Sequence, residues 1–177
     1  MRPRKIAWEL WRVEIRAARK RRAKRFGGGC SGGESLVAAS TLIDTGAILA
    51  LLDRSDRWHE ACVGTFRQLQ LPLRTSEAVL TELFHLVGDA RAEMEAAWKF
   101  VRSGALLLGA IEDGELGSVR SLMSRNWGRP MDFADATLVY RAKRESISEI
   151  LTVDHADFAT YRIEGKRQFR VLPIDRP

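Results

Sequence analysis

Three acidic residues lie where an apolar segment of this chain gives way to a polar turn or a helix start. Asp44 closes SLVAASTLID, Asp135 sits in MDFADATLVY, and Asp154 closes EILTVD. A fourth, Glu82, lies inside the apolar segment TSEAVLTELFHLV. Carboxylates placed this way can meet at one end of a parallel sheet, beyond the carboxyl ends of its strands. Several carboxylates in one place repel one another unless a cation sits among them. The residues therefore point to a divalent metal site and, through it, to phosphate chemistry. A hard cation takes oxygen ligands and keeps several waters, so a few carboxylates suffice without His or Cys.

Each acid also has a purely structural reading. Asp44 precedes Thr45-Gly46, which leaves room at a sheet mouth, but Asp is equally suited to cap the helix expected over GAILALL. Both can hold at once. Asp132 and Asp135, three apart, fit a capping box, which accounts for Asp132 in full. Asp135, in the first turn, can still point back toward the sheet. Glu82 sits among Val79, Leu83, Phe84 and Leu86, and periodicity favours a solvated stripe over a polar cavity for it. Asp154 reads either as a site carboxylate or as a cap for HADFATY. His59 and His85 read as packing or surface groups, and His155, next to Asp154, as a candidate for touching substrate.

The elements that must position these acids alternate along the chain. Apolar runs suggest strands over 36–43, 106–112, 149–154 and 169–175, and 72–75 can form a short second strand. Helical patterns fall between them, over 46–52, 57–69, 77–88, 91–103, 113–127 and 132–144, with Ser76 as an N-cap and 126–130 (NWGRP) as a turn. Such alternation implies right-handed crossovers and a three-layer α/β domain around a parallel sheet. Asp44 and Asp154 then fall at two strand ends.

Length suits one domain: 177 residues, 45% apolar. No apolar run approaches the roughly 20 residues of a membrane helix, and no secretory apolar core follows the basic N-terminus, which favours a cytoplasmic protein. Cys30 and Cys62 have no neighbouring Cys or His spacing that would suggest a disulfide framework or zinc. The net charge of +6 is unevenly spread: residues 1–26 carry eleven Lys/Arg and two acids, whereas 27–177 carry eighteen Lys/Arg and twenty-one acids. The glycine-rich GGGCSGG at 27–33 reads as a linker, so 1–33 is an extension and 36–177 the folded domain. Two readings of the extension stay open. It is a disordered tail or a stretch added by a misjudged start codon, or it is a basic helix that contacts RNA or a partner.

The segments LIDTGAILALLDRSDRWHEAC (42–62), TSEAVLTELFHL (75–86), MDFADATLV (131–139) and LTVDHADFATYR (151–162) resemble, in order and spacing, the PIN-domain nucleases, above all the VapC-type toxin ribonucleases of toxin–antitoxin pairs. That resemblance implies a five-stranded parallel sheet flanked by helices, with acids gathered around Mg²⁺ or Mn²⁺. Residue by residue it makes Asp44, Glu82, Asp135 and Asp154 catalytic, with Asp44 and Asp135 as direct metal ligands. Asp132 and Asp157 become auxiliary acids, and Thr45 a hydroxyl residue that supports the first acid. It further implies an RNA substrate cut to 5′-phosphate and 3′-hydroxyl ends, a small antitoxin partner, and a homodimer.

Arg54, Arg57, Arg125, Arg129, Arg141 and Arg144 are candidates for phosphate contact, and Trp127 for stacking on an unpaired base. Two rival readings are weighed. An aspartyl-phosphate enzyme of the haloacid-dehalogenase type needs a second Asp two positions after the first, where this chain has Gly46. A non-catalytic module would bind RNA or a partner with the same acids serving as caps.

Overall fold

The computed structural model describes residues 41–129 and 131–174, so the expected extension and linker (1–33), and the start of the expected first strand (36–40), lie outside the described residues. Five short runs form the central sheet: β1 (Thr41–Ile43), β2 (Leu73–Ser76), β3 (Leu106–Gly109), β4 (Glu149–Leu151) and, last in the chain, β7 (Arg170–Leu172). Their order is β3-β2-β1-β4-β7, and every neighbouring pair is parallel. β1 is central and all three of its residues are buried, as expected for a strand covered on both faces.

Seven helices are described: α1 (Thr45–Leu52), α2 (His59–Gln68), α3 (Glu77–Val87), α4 (Arg91–Val101), α5 (Leu116–Arg125), α6 (Phe133–Arg144) and α7 (His155–Thr160). Three follow a strand closely and start on a side-chain cap. Asp44 caps α1, Ser76 accepts from the Val79 amide at 3.3 Å to cap α3, and Asp154 caps α7. Their N-termini therefore crowd the carboxyl edge of the sheet. The fourth strand ends at Leu151, shorter than the run EILTVD suggested, so Asp154 caps a helix instead of ending a strand.

A two-stranded antiparallel hairpin, β5 (Arg162–Ile163) with β6 (Arg167–Gln168), was not anticipated. Its strands are too short to show a period. Its turn carries positive φ at Glu164 (53°) and Gly165 (76°), a conformation glycine tolerates readily. Among the described residues no helix is long and apolar enough to cross a membrane.

Leu42, Ile43, Ile48, Leu51, Leu73, Leu83, Phe100, Leu138 and Phe158 make the fully buried apolar core. Within that interior lies a cation, Arg141 of α6, whose side chain has no exposure at all. Its guanidinium faces Glu145 one turn on at 2.6 Å, and Glu145 also pairs with Arg74 at 2.9 Å. Burial pulls the Arg141 pKa down, and the Glu145 charge pulls it back up. Arg144 beside it is held by Glu115 at 2.8 Å, which drives the Glu115 carboxyl down to about 2. Arg141 is thus committed inside the fold, which corrects the expectation that it contacts phosphate, while Arg144, at the surface, is taken up by Glu115.

Arg141 fits because β3 ends in glycine: a Cβ at Gly109 would stand 1.3 Å from Arg141 Nη1. The guanidinium can yield only by leaving Glu145, and breaking a buried pair is costly. Gly109→Ala is expected to destabilise the protein by at least about 2 kcal/mol in urea unfolding. Gly114→Ala, whose Cβ meets nothing within 4 Å, is expected to change stability by less than about 0.5 kcal/mol. Equal midpoints for the two variants would show that Arg141 moves aside freely.

Candidate active site

Asp44 leaves the end of β1 and caps α1, so both of its sequence readings hold. Its Oδ1 accepts from the Thr45 amide at 2.7 Å, and its Oδ2 accepts from the Thr152 hydroxyl at 2.9 Å. Its own amide donates to Leu151 of β4 at 3.1 Å, and the residue is buried. Gly46 permits this close seating, since a Cβ there would stand 2.5 Å from Val153 Cγ2.

Glu82 does not lie on a solvated stripe. Its Oε2 accepts from the Thr45 hydroxyl at 2.7 Å, and that hydroxyl also reaches the Val79 carbonyl at 3.3 Å. Periodicity failed here because α3 turns a polar position toward the mouth, where Thr45 supplies a partner. Thr45 thus serves two acids, Asp44 through its amide and Glu82 through its hydroxyl.

Asp132 and Asp135 open α6. Asp132 Oδ1 accepts from the Asp135 amide at 2.8 Å, the cap that the three-residue spacing suggested. Asp135 Oδ2 accepts from the Tyr161 hydroxyl at 3.0 Å. Asp154 and Asp157 repeat the pattern on α7, with Asp154 Oδ1 accepting from the Asp157 amide at 3.3 Å. Thr152 ties this loop to the first acid, because the hydroxyl that donates to Asp44 also accepts from the Asp154 amide at 3.0 Å.

The acids share one electrostatic neighbourhood. Burial pushes Asp44 up to about 6; the hydrogen bonds from Thr152 and Thr45 oppose the rise, and the charges of Glu82 and Asp132 add to it. Asp135 is pushed up to about 8 by burial first, then by Asp132 and Asp44, with the Tyr161 hydrogen bond opposing and Asp154 adding. Asp157 is raised by burial and by Asp154, and eased by Arg129. Among the described residues the hydrogen-bond donors to Asp44, Glu82 and Asp135 are neutral, and none of these acids enters an ion pair.

Among the described residues, no three His, Cys, Asp or Glu side chains close into a cage around an ion. The site is an open array of hard oxygen donors. That suits a cation of the magnesium kind, which keeps several waters and takes one or two carboxylates. The uncompensated crowding of Asp44 and Asp135 fits the same group.

Sequence reasoning missed Thr152 and Tyr161. Thr152 stood inside an apolar run read as strand, although a hydroxyl two residues before Asp154 was a usable signal. Tyr161 meets Asp135 across 26 positions, and no local pattern reveals that. His59 packs inside the fold and His85 is a surface group, as expected. His59 Nδ1 lies 2.8 Å from the Ala50 carbonyl, and His85 is exposed at the end of α3. His155 is buried against Trp58, ring centroids 4.9 Å apart, so its proposed contact with substrate is not supported.

Comparison with known proteins gives this geometry a family. The chain is similar to Ribonuclease VapC26 of Mycobacterium tuberculosis, 29% identical over 135 residues that cover 75% of this chain and 99% of that protein. Its fold resembles the crystal structure of M. tuberculosis VapC20, described as a Sarcin-Ricin loop cleaving toxin, with a TM-score of 0.61 at 20% identity over 66% of this chain and 91% of the other. Residues 41–164, more than half the chain, match the PIN domain, and the protein belongs to the PIN-domain family.

Proposed function

We propose that the protein is a metal-dependent endoribonuclease and the toxin of a toxin–antitoxin pair. One observation carries the reading. Two carboxylates from different elements, Asp44 and Asp135, are held partly or wholly out of water, Asp135 in the field of Asp44, and among the described residues neither enters an ion pair. The family and the likeness to a VapC ribonuclease support it.

In this reading Asp44 and Asp135 hold Mg²⁺ or Mn²⁺, which when bound stabilises charge on the phosphoryl oxygens and favours ionisation of a water. Thr152 and Tyr161 fix the direction of those two carboxylates by donating to one oxygen of each. Glu82 is pinned through Oε2, which leaves Oε1 to orient the attacking water and take its proton. The water oxygen forms the new bond to phosphorus as the bond to the 3′-oxygen breaks, and a solvent proton is taken up by that leaving oxygen, giving a 5′-phosphate and a 3′-hydroxyl. Asp154, exposed at the rim, orders solvent beside it, and Asp132 and Asp157 hold helix starts and add negative potential. An antitoxin segment would fill the same mouth with an Arg, whose guanidinium matches paired carboxylates. A homodimer is part of this proposal, as is a cytoplasmic setting.

Purified protein is expected to cut single-stranded RNA only with Mg²⁺ or Mn²⁺ present. Asp44→Asn and Asp135→Asn should each lower the rate at least about 100-fold while the far-UV circular dichroism stays as in wild type. Full activity in EDTA would overturn the metal reading, and binding without cleavage at any metal concentration would make the protein a non-catalytic module.

The raised carboxyls give a second expectation. Asp135 holds its proton more tightly when folded, so between its ordinary 3.8 and about 8 the folded state binds more protons than the unfolded chain. Stability from this group is therefore present at low pH and lost as pH rises through that window. In chelator at pH 8, Asp135→Asn should melt about 3 °C or more above wild type, with the gap closing near pH 4. Adding Mg²⁺ should raise the wild-type midpoint and leave the variant unmoved. No gap at pH 8 would mean that Asp135 is not crowded.

A further inference from the structure

A second concavity of about 710 Å³ lies beside the acidic mouth, walled by α5, α6, the end of α7 and the β5–β6 hairpin. Its charge is opposite to that of the mouth: Arg125, Lys143 and Arg162 face it against a single acid, Glu164. None of these cations enters an ion pair among the described residues. Arg125 Nε donates to the Ser121 carbonyl, and Arg162 Nη1 donates to the carbonyls of Ala159, Thr160 and Tyr161. These contacts orient the two guanidinium groups without neutralising them. The contrast with Arg141 and Arg144, both committed to glutamates, is direct.

The concavity adjoins the mouth along two routes. On α6, Val139 and Lys143 lie one and two turns beyond Asp135 on one face, a run of about 12 Å at 1.5 Å per residue. Thr160 and Arg162 line the groove on either side of Tyr161, whose hydroxyl holds Asp135. The loop after α5 makes the second route. Asn126 lines the groove, while Arg129 stands near enough to Asp157 to ease its crowding. Between them Trp127 is 87% exposed, with its indole offered to solvent.

Resting on the ribonuclease reading, we propose that this groove is the track for the single-stranded RNA that flanks the scissile bond, with Arg125, Lys143 and Arg162 on its phosphates and Trp127 stacked on a base. An acidic mouth repels a polyanion, so grip must come from beside it. Unpaired cations with an exposed aromatic are the elements by which single strands are bound. Duplex RNA has paired, stacked bases and gives Trp127 nothing to engage.

The test uses the full chain carrying Asp44→Asn and a fluorescein-labelled single-stranded RNA of about 12 nucleotides. Adding Arg125→Gln and Lys143→Gln together should weaken binding about tenfold and lower the slope of log K against log salt by about 1.4. Trp127→Ala should weaken it about tenfold with the slope unchanged. Arg91→Gln, an exposed cation on α4, is the control and should do neither. With Asp44 restored, the groove variants should raise KM for the long RNA and leave cleavage of a dinucleotide substrate within about twofold, since the track lies outside the reacting atoms.

Wild-type affinity and slope in the groove variants would overturn the proposal. So would an altered oligomeric mass with unaltered RNA binding, which would make the groove a protein interface. RNA binding through the groove without cleavage would support the track and remove the nuclease reading, whereas no RNA binding by the parent chain would remove both.

Discussion

The Asp44 carboxylate, clamped between the Thr45 amide and the Thr152 hydroxyl, is the interaction on which the site depends. It joins the end of β1, the start of α1 and the loop after β4 in one place, and the same Thr152 hydroxyl fixes the Asp154 amide. Burial pushes Asp44 toward its protonated form, and these two hydrogen bonds favour the charged form and oppose the push. The fold therefore holds an anion that it does not neutralise. A chain selected for stability alone would place a neutral residue or an ion pair there. Asp44 enters no ion pair among the described residues, which argues that the charge serves a ligand.

α6 carries the two opposite electrostatic solutions at its two ends. At its C-terminal end Arg141 and Arg144 are matched by Glu145 and Glu115, and the pairing is close enough to lower the Glu115 carboxyl to about 2. At its N-terminal end Asp135 meets other acids and a phenol among the described residues, and its carboxyl rises to about 8. One helix, about 18 Å long at 1.5 Å per residue, thus holds a satisfied network and a frustrated one. The satisfied end anchors the helix against β2 through Arg74 and against β3 through Gly109, and a firmly anchored helix can hold Asp135 in place.

Much of this was legible from residue types. Most sheet strands lie in apolar runs, β2 (LRTS) being the exception, and the parallel pairing follows from the helices between the strands. The acids at the carboxyl edge could be found because Asp44, Asp132 and Asp154 are also caps, a role with a local signature. Periodicity alone placed Glu82 on a solvated face, because a hydrophobic period cannot tell a polar partner such as Thr45 at the mouth from solvent. Arg141 was misjudged for the complementary reason: a charged residue on a helix reads as surface unless the glycine that makes room for it, 32 positions earlier, is seen beside it. Tyr161 and the β5–β6 hairpin depend on contacts with no sequence period at all.

Charge summed over the chain misleads in the same way. The net +6 arises from the first 26 residues, and the remainder is mildly acidic, which by itself argues against a nucleic-acid partner. The structure redistributes that remainder. Acids collect at the strand ends, some arginines are consumed by glutamates inside the fold, and Arg125, Lys143 and Arg162 are left together in one groove next to the acids. Screening limits charge effects in water to about 8 Å at physiological salt, so a polyanion responds to this local arrangement and not to the sum. An acidic centre can then cut a polyanion, because the groups that would grip the strand and those that would act on it occupy neighbouring and separate surfaces.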